Sequence, residues 1–327
     1  MEDFKSAVLK ANGIEIGYVE KGEGPLVLLC HGFPESWYSW RHQISALATA
    51  GYKAVALDMR GYGRTESPPS LEAYNISDLV GDVVQAVSVL GESDAVIVGH
   101  DWGAPVAWYS ALIRPDVFRA VVSLSVPYLA PTVLPSGMDL NEVMRISAGD
   151  QEYYRLYFQE PGVAELELEA DIHKFMLGFL YTLSGNIVTE GIHSKGWAGY
   201  FPKGETVLDQ LVIPETLPSW LSQDDLKFYV DQFDKTGFRG GLNWYRNIKH
   251  MMSSLAPHVG KSLDQPALYL YGEHDLIAGN TAEAIETLPS NLKNLKGLHR
   301  FSGAGHWLQQ ERAEDVSEKI IDFLDQL

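Results

Sequence analysis

The sequence predicts an α/β fold in which a mostly parallel, eight-stranded sheet carries helices on both faces and a helical segment is inserted into the chain. Short β-rich segments alternate with amphipathic segments through residues 1–130, and the alternation returns over residues 256–327. Residues 131–255 lack it and have the pattern of helices joined by loops. Strands separated by helices of about 10–15 residues build parallel βαβ units. We therefore predict a core domain made of residues 1–130 and 256–327, with residues 131–255 as an inserted helical lid.

The individual elements follow from hydrophobic periodicity and turn signals. The chain opens with a predicted antiparallel hairpin around Asn12-Gly13, a pair that favours a tight turn. The predicted strands cover residues 7–10, 14–19, 26–30, 53–57, 95–99, 120–124, 267–271 and 298–301. The predicted helices of the core cover residues 36–50, 76–90, 104–114, 280–288 and 313–327. Inside the lid, segments 160–162 and 201–204 contain Pro and Gly and predict connecting loops. A lid of this kind is expected over the carboxyl ends of the strands, where sites form in such sheets.

Composition narrows the possible partners. The 327 residues include one cysteine, Cys30, and carry a formal net charge of −18. A single cysteine excludes an intrachain disulfide and argues against a cysteine-based metal site. The negative charge opposes binding to nucleic acid or to an anionic membrane. No apolar run reaches the roughly 18 residues that span a bilayer. Residues 1–6 lack a secretory signal, which predicts a cytoplasmic location.

An aspartate lies at the centre of a predicted strand-to-helix turn. The segment VIVGHDWGA, residues 96–104, runs from an apolar strand through Gly-x-Asp-x-Gly into a helical pattern. This is the nucleophile elbow of the α/β-hydrolase fold, with Asp101 in place of the usual serine. A carboxylate attacks saturated carbon and leaves an ester whose carbonyl belongs to the protein. The alternative is that Asp101 only caps the following helix.

Two further residues can complete a catalytic set with Asp101. His306 lies in a Gly-rich loop between the last strand and the last helix, and Asp275 follows strand 267–271. The chain order nucleophile, acid, histidine is that of α/β-hydrolases. The alternatives are a structural role for His306, one of ten histidines, and a turn role for Asp275. Some hydrolases place the acid after the preceding strand, but here the next carboxylate after that strand is Asp139, which favours Asp275.

Stabilisation of an oxyanion requires backbone donors beside Asp101. The segment HGFP, residues 31–34, follows strand 26–30, where the fold supplies one N–H group. We expect the Phe33 and Trp102 N–H groups to form this pair. The side chains of His31 and Phe33 could equally be packing groups, and the sequence leaves open whether the bond before Pro34 is cis.

Several segments together resemble the soluble epoxide hydrolases. They are HGFPESWYSWR at residues 31–41, DMRGYG at 58–63 and GHDWG at 99–103, and the resemblance extends over essentially the whole chain. In the lid, GFRGGLNWYRN at residues 237–247 is similar to the family segment that carries a ring-opening tyrosine. The resemblance implies that Tyr245 is this tyrosine and that Tyr154 is the second. Tyr153 leaves a one-residue ambiguity, because consecutive helix positions point about 100° apart and only one can face the nucleophile.

The resemblance implies hydrolysis of epoxides to vicinal diols without a metal or an organic cofactor. Asp101 would attack a ring carbon while Tyr154 and Tyr245 donate hydrogen bonds to the ring oxygen. Phenols have a pKa of about 10 and stay protonated at neutral pH, so they can act as donors. Water activated by His306 and Asp275 would then hydrolyse the ester. The expected partners are a small-molecule epoxide and water, and the chain is expected to be a monomer or a homodimer.

Three other functions share part of this pattern. A haloalkane dehalogenase also has an aspartate elbow, and Trp102 could bind halide, but such enzymes commonly carry Asn where Phe33 stands and need no tyrosine pair. Dehalogenases of the fluoroacetate type carry Arg in the place of Trp102, where it binds the carboxylate of the substrate. An esterase would need a serine at position 101. A non-catalytic binding protein on the same fold belongs to a different class, and tight binding without turnover would identify it.

The apolar residues of the lid allow two interpretations. They can line an apolar substrate pocket, or they can pack the lid helices onto the core, which we expect for most of them. The residues concerned are Trp197, Tyr200, Phe201, Trp220, Trp244 and Met251.

Overall fold

A central sheet of eight strands organises the protein. The computed structural model describes residues 4–136, 138–194 and 196–327. The strands in these ranges are β1 (Lys5–Ala11), β2 (Ile14–Lys21), β3 (Leu26–Cys30), β4 (Lys53–Leu57), β5 (Ala95–His100), β6 (Phe118–Leu124), β7 (Gln151–Tyr153), β8 (Tyr200–Pro202), β9 (Ala267–Gly272) and β10 (Leu295–Phe301). The main sheet has the order β1-β2-β4-β3-β5-β6-β9-β10. β2 is antiparallel to both of its neighbours and the other pairs are parallel, which confirms the predicted mostly parallel, eight-stranded sheet.

The central strands are apolar throughout because both faces of the sheet are covered. Every residue of β3 and β5 is buried. Successive side chains point to opposite faces, so Leu28 and Cys30 pack into one hydrophobic core while Val27 and Leu29 pack into the other. Continuous apolar runs of this kind are typical of parallel strands between two helical layers.

Helices cover both faces of the sheet. The α-helices are α1 (Arg41–Thr49), α2 (Ile76–Val89), α3 (Gly103–Ile113), α4 (Leu140–Ala148), α5 (Tyr154–Tyr157), α6 (Val163–Leu168), α7 (Ile172–Thr182), α8 (Asn186–Thr189), α9 (Gln223–Thr236), α10 (Arg239–Arg246), α11 (Ile248–Leu255), α12 (Leu276–Asn280), α13 (Ala282–Asn291), α14 (Leu308–Glu311) and α15 (Ala313–Leu324). Short 3₁₀ helices cover Trp37–Trp40, Leu71–Tyr74, Glu169–Asp171, Leu208–Gln210 and Ala256–His258. α2 and α3 pack into one core, whereas α1 and α15 pack into the other.

Helix boundaries differ from the sequence-based expectation at two places. The helix predicted over residues 36–50 begins as a 3₁₀ turn, because the Ser36 hydroxyl accepts from the Tyr38 N–H and fixes that turn before α1 starts at Arg41. The helix predicted over residues 280–288 corresponds mainly to α13, and a short helix that was not predicted, α12, precedes it. The Asp275 carboxylate accepts from the Ile277 N–H and caps the start of α12.

The segment between β6 and β9 consists mainly of helices, α4 to α11, but it also contains a small sheet. β7 and β8 pair antiparallel, with Glu152 opposite Phe201 and Tyr153 opposite Tyr200. The prediction of a loop at residues 201–204 was therefore wrong at its start, because Phe201 is buried against the segment that precedes α5. Residues 160–162 do form the expected connection, between α5 and α6. Within the described ranges, no helix combines the length and apolar character needed to cross a bilayer.

Candidate active site

Asp101 occupies a tight turn between β5 and α3. Its backbone has a φ of +49°, in the left-handed region that non-glycine residues seldom adopt. The turn depends on small neighbours, because a Cβ atom on Gly99 would lie 2.1 Å from the Gly103 carbonyl oxygen. A Cβ atom on Gly103 would lie 2.1 Å from the Cys30 carbonyl oxygen. The N-cap residue of α3 is Trp102, without a side-chain capping bond, so the carboxylate of Asp101 does not cap this helix.

The two carboxylate oxygens of Asp101 have different surroundings. Oδ1 accepts a hydrogen bond of 2.8 Å from the Phe33 N–H. Oδ2 lies 3.6 Å from His306 Nε2, beyond hydrogen-bond range but close enough for an ion pair. The loop before Phe33 approaches so closely that a Cβ atom on Gly32 would lie 2.3 Å from Oδ1. Among the described residues, the Trp102 N–H has no hydrogen-bond acceptor. Of the two N–H groups predicted for an oxyanion hole, that of Phe33 binds the Asp101 carboxylate, and that of Trp102 belongs to the residue that follows Asp101.

His306 and Asp275 come together at the same edge of the sheet. His306 Nδ1 lies 3.0 Å from Asp275 Oδ1, and all three side chains of the predicted set are buried. Burial alone would lower the pKa of His306, but the charges of Asp275 and Asp101 outweigh it and raise the pKa to about 9. Burial would raise the pKa of Asp275, but the His306 contact outweighs it and lowers that pKa. The arrangement fixes Nδ1 toward the acid and leaves Nε2 toward Asp101.

Ser125 is a further neighbour that the sequence did not indicate. Its hydroxyl lies 3.2 Å from His306 Nδ1, so it shares that nitrogen with Asp275. Ser125 directly follows β6, and its backbone φ of +72° turns the chain sharply at the carboxyl end of the strand. The position of Ser125 in the sequence could have indicated its role. It directly follows β6, which lies next to β5, the strand that leads into the turn with Asp101.

A buried charged network beneath the site was also missed. His100 Nδ1 lies 2.7 Å from Glu35 Oε1, and His100 Nε2 lies 2.8 Å from the His306 carbonyl oxygen. Glu35 also accepts from the Gly32 N–H at 3.0 Å and from Gln309 Nε2 at 2.9 Å. Burial raises the pKa of Glu35, but His100 outweighs it and the pKa falls to about 2. The ionised carboxylate therefore ties the Phe33 loop and the His306 loop to the residue before the nucleophile.

Tyr154 and Tyr245, which both belong to the segment between β6 and β9, meet beside Asp101. Their ring centroids are 6.0 Å apart, and both side chains line a small cavity of about 10 Å³ with Asp101 and His306. Burial raises the pKa of both phenols, so both are protonated at neutral pH. Tyr153 does not line this cavity, since it belongs to β7 and stacks on Tyr200 at 4.6 Å. The structure thus places Tyr154 rather than Tyr153 opposite the carboxylate.

Neighbouring rings hold Tyr245 in place. Its ring packs edge-to-face against Trp102 at 5.1 Å, Phe158 at 5.1 Å and Phe33 at 5.4 Å. The Phe33 and Trp102 side chains therefore both pack against Tyr245, while the Phe33 N–H binds the Asp101 carboxylate. The Phe33–Pro34 peptide bond is cis.

Asp101 also lines a larger pocket of about 190 Å³. Its walls are mostly apolar, and the charged residues among those that line it are Asp101 and Arg155. The apolar lining includes Trp108, Leu140, Val143, Met144, Ile248, Met251 and Met252. Of the lid residues considered from sequence, Met251 lines this pocket and Trp197 lines the small cavity. Trp244 lines neither cavity, and its Nε1–H donates to the Arg60 carbonyl oxygen at 3.0 Å.

The described ranges contain no group of three or more His, Cys, Asp or Glu side chains arranged to hold a metal ion. The site nevertheless has the parts for reaction at an electrophilic carbon. It combines a carboxylate, an imidazole paired with a second carboxylate, backbone donors and two protonated phenols.

Known proteins resemble this chain along its length. A family model described as the alpha/beta hydrolase fold matches residues 25–313. Epoxide hydrolase B of Mycobacterium tuberculosis is 39% identical over 326 residues, with 92% of each chain covered. Epoxide hydrolase A of the same organism is 40% identical, with 97% of this chain and 96% of that protein covered. A solved epoxide hydrolase from an endophytic Streptomyces superposes with a TM-score of 0.94 at 41% identity, covering 99% of this chain and 96% of its own.

Proposed function

Because this chain belongs to the α/β-hydrolase family and is an epoxide hydrolase, we propose that it forms vicinal diols through a covalent ester on Asp101. The observation that carries the proposal is the small cavity that Asp101, His306, Tyr154 and Tyr245 line together. A nucleophile, a base and two donors to a leaving oxygen are the groups that this two-step reaction requires.

Ring opening is the first step. Asp101 Oδ2 attacks a ring carbon, the carbon–oxygen bond breaks, and the electron pair moves to the ring oxygen. Tyr154 and Tyr245 donate to that oxygen as its charge develops. The Phe33 N–H, at 2.8 Å from Oδ1, holds the carboxylate so that Oδ2 is the attacking atom. Preorganised donors lower the barrier because they need no rearrangement when charge appears.

Hydrolysis of the ester is the second step. Ester formation removes the charge of Asp101, one of the groups that raise the pKa of His306. The pKa of His306 therefore falls once the ester exists, and Nε2 becomes available to take a proton from water. Asp275 holds the ring in the required orientation at 3.0 Å. The Phe33 and Trp102 N–H groups stabilise the tetrahedral oxyanion, at about 3 kcal/mol per donor. Its collapse breaks the bond between the Asp101 carbonyl carbon and the oxygen attached to the substrate. That oxygen takes the proton held on His306 Nε2 and leaves in the diol, and the second proton of the water replaces the one that a phenol gave to the ring oxygen.

We further propose that residues 131–255 act as a lid on a core made of residues 1–130 and 256–327. Both phenol donors come from the segment between β6 and β9, whereas the carboxylates and the histidine come from the core. Gly240 of α10 lies so close to the core that an added Cβ atom would come within 2.1 Å of the Gly61 carbonyl oxygen. This close contact fixes the position of α10 on the core, and therefore also the position of Tyr245, which belongs to α10.

A single turnover in oxygen-18 water tests the covalent route. Enzyme in excess over styrene oxide is mixed in labelled water, and the diol and the peptide containing Asp101 are analysed by mass spectrometry. We expect unlabelled diol and one heavy oxygen in Asp101, because water attacks the ester carbonyl. Heavy oxygen in the diol of this first turnover would mean that water attacks the epoxide directly, and the covalent route would then be wrong.

Removal of the phenol hydroxyls should slow ring opening. We expect Tyr154→Phe and Tyr245→Phe each to lower the rate of ester formation by about 10- to 100-fold, and the double variant to lose about 10³-fold or more, within the range of general acid catalysis. The measurement is quenched-flow mass spectrometry of the Asp101 ester.

The matched control is Tyr153→Phe, the same substitution one residue away. Tyr153 lies outside the cavity and stacks on Tyr200, so the rate should stay near that of the unmodified enzyme. A double variant of Tyr154 and Tyr245 that forms the ester at full rate would show that the phenols do not assist ring opening.

A further inference from the structure

Arg155 is a positive charge in an otherwise apolar pocket wall. The pocket of about 190 Å³ is lined by Asp101 at one place and by Arg155 at another, and its remaining lining residues are uncharged. Arg155 is partly buried and belongs to α5, directly after Tyr154. Because charged groups are costly to bury without a partner, the surroundings of this guanidinium need an explanation.

The guanidinium has one hydrogen bond to the protein. Arg155 Nε donates to the Tyr154 hydroxyl at 3.0 Å, and the group lies 5.6 Å from the Tyr154 ring centroid and 6.0 Å from that of Tyr153. These contacts with Tyr153 and Tyr154 hold the guanidinium in place through its Nε atom and through its position over the two rings. In the part of the chain that the structure describes, the two terminal nitrogens of Arg155 make no hydrogen bond and no carboxylate lies within ion-pair distance of them.

Other shielded arginines in this protein are paired with carboxylates. Arg60 pairs with Asp82 at 2.5 Å, and Arg246 pairs with Glu165 at 2.7 Å. Arg41 lies 3.2 Å from Asp225. A chain with a net charge of −18 has abundant acidic residues for such pairing. Arg155 differs from these arginines because, among the described residues, no carboxylate pairs with it, although it lines the same pocket as Asp101.

We propose that Arg155 binds a carboxylate of the substrate, so that the preferred epoxides are short-chain epoxy acids. A guanidinium pairs with a carboxylate through two parallel hydrogen bonds. One guanidinium neutralises one such monoanion, whereas a phosphate dianion would keep uncompensated charge between apolar walls. This inference rests on the proposed function, because it assumes that the epoxide ring lies between Asp101 and the two phenols.

The geometry also limits the length of the substrate. Tyr154 is a proposed donor to the ring oxygen, and its hydroxyl lies 3.0 Å from Arg155 Nε. The carboxylate is therefore held only a few bonds from the ring, and the apolar side chains of the pocket contact the carbons between them. An acid whose carboxylate ends a long chain would place it beyond Arg155.

The test compares acids with neutral analogues of the same length. We would measure kcat/KM for 5,6-epoxyhexanoate and for 5,6-epoxyhexanamide, and then for longer acids up to 10,11-epoxyundecanoate. The unmodified enzyme should prefer the short acid over its amide by about 10-fold or more, chiefly through KM. The preference should decline as the chain lengthens. In Arg155→Gln, kcat/KM for the short acid should fall by about 10- to 100-fold, as for loss of hydrogen bonds to a charged group, and the amide should lose less.

Two further variants separate the charge of Arg155 from its other contacts. Arg155→Lys keeps the charge and should retain part of the preference for the acid. Arg145→Gln removes an exposed arginine of α4 that pairs with Glu142 and is not among the residues that line the pocket, so it should leave the preference unchanged. Turnover of the amide by Arg155→Gln also shows that this variant is folded.

The possible results lead to different conclusions. Equal turnover of acid and amide by the unmodified enzyme would overturn the inference and leave the proposed function intact. If Arg155→Gln lowers kcat/KM equally for the acid and the amide, the inference would also be overturned, because Arg155 would then act only by positioning Tyr154. Absence of diol from every neutral and acidic epoxide would overturn the proposed function and this inference together.

Discussion

Asp101→Ala is expected to form no diol above the uncatalysed background. Removal of the nucleophile in a covalent mechanism commonly costs about 10⁴- to 10⁶-fold in kcat. The loss should be this large because no other carboxylate oxygen adjoins the Phe33 N–H and faces His306 Nε2 in the described site. The measurement is diol formation from styrene oxide over several hours, with thermal unfolding followed to establish that the variant is folded.

Asp139→Ala is the matched control for this substitution. Asp139 also lies in a loop before a helix, and its carboxylate accepts from the Glu142 N–H at the start of α4. Loss of this cap should cost about 1 kcal/mol of stability and leave diol formation nearly unchanged. An Asp101→Ala enzyme that keeps a substantial fraction of its activity would contradict the assignment of Asp101 as nucleophile.

His306→Gln is expected to stop the reaction after its first step. Asp101 and both phenols remain, so the ester can form, but glutamine cannot take a proton from water. The protein should gain the mass of one epoxide, located on the peptide that contains Asp101, and release diol at least about 10³-fold more slowly. Intact-protein and peptide mass spectrometry would measure both quantities.

The same substitution at an exposed histidine gives the comparison for this experiment. His173 lies on the exposed side of α7, so His173→Gln should turn over normally and accumulate no ester. If His306→Gln accumulates no ester and still produces diol at the normal rate, His306 is not the base. If it neither accumulates ester nor produces diol, His306 is required before the ester forms.

The sequence predicted those parts of the site that depend on local turn chemistry. A side chain at Gly99 would collide with the backbone of Gly103 in the same turn, which is a local clash that a short motif records. Gly103 belongs to the same motif, although its own clash would be with Cys30 of β3. Asp275 and His306 follow β9 and β10, and residues that follow neighbouring parallel strands meet at one edge of the sheet. Chain order and strand prediction were therefore sufficient to bring these residues together.

Other parts depended on contacts between distant segments. Glu35 and His100 are 65 positions apart and meet only because β3 and β5 are neighbours in the sheet. The choice between Tyr153 and Tyr154 could not be made from helix geometry, because Tyr153 ends a strand and Tyr154 begins a helix. The three-residue strands β7 and β8 are too short to show a period. Whether a carboxylate lies beside Arg155 depends on segments that are distant in the sequence, so the residues next to Arg155 in the chain do not indicate it.

The hydrogen bond from the Phe33 N–H to Asp101 Oδ1 makes the two oxygens of this carboxylate inequivalent. In water the two atoms of a carboxylate exchange roles by a simple rotation about one bond. Here one of them is held by the backbone while the other faces His306. On the proposed route the attacking oxygen leaves with each diol, and an atom from water takes its place. The oxygen held by Phe33 would thus stay with the protein for its lifetime, while its neighbour is renewed at every cycle.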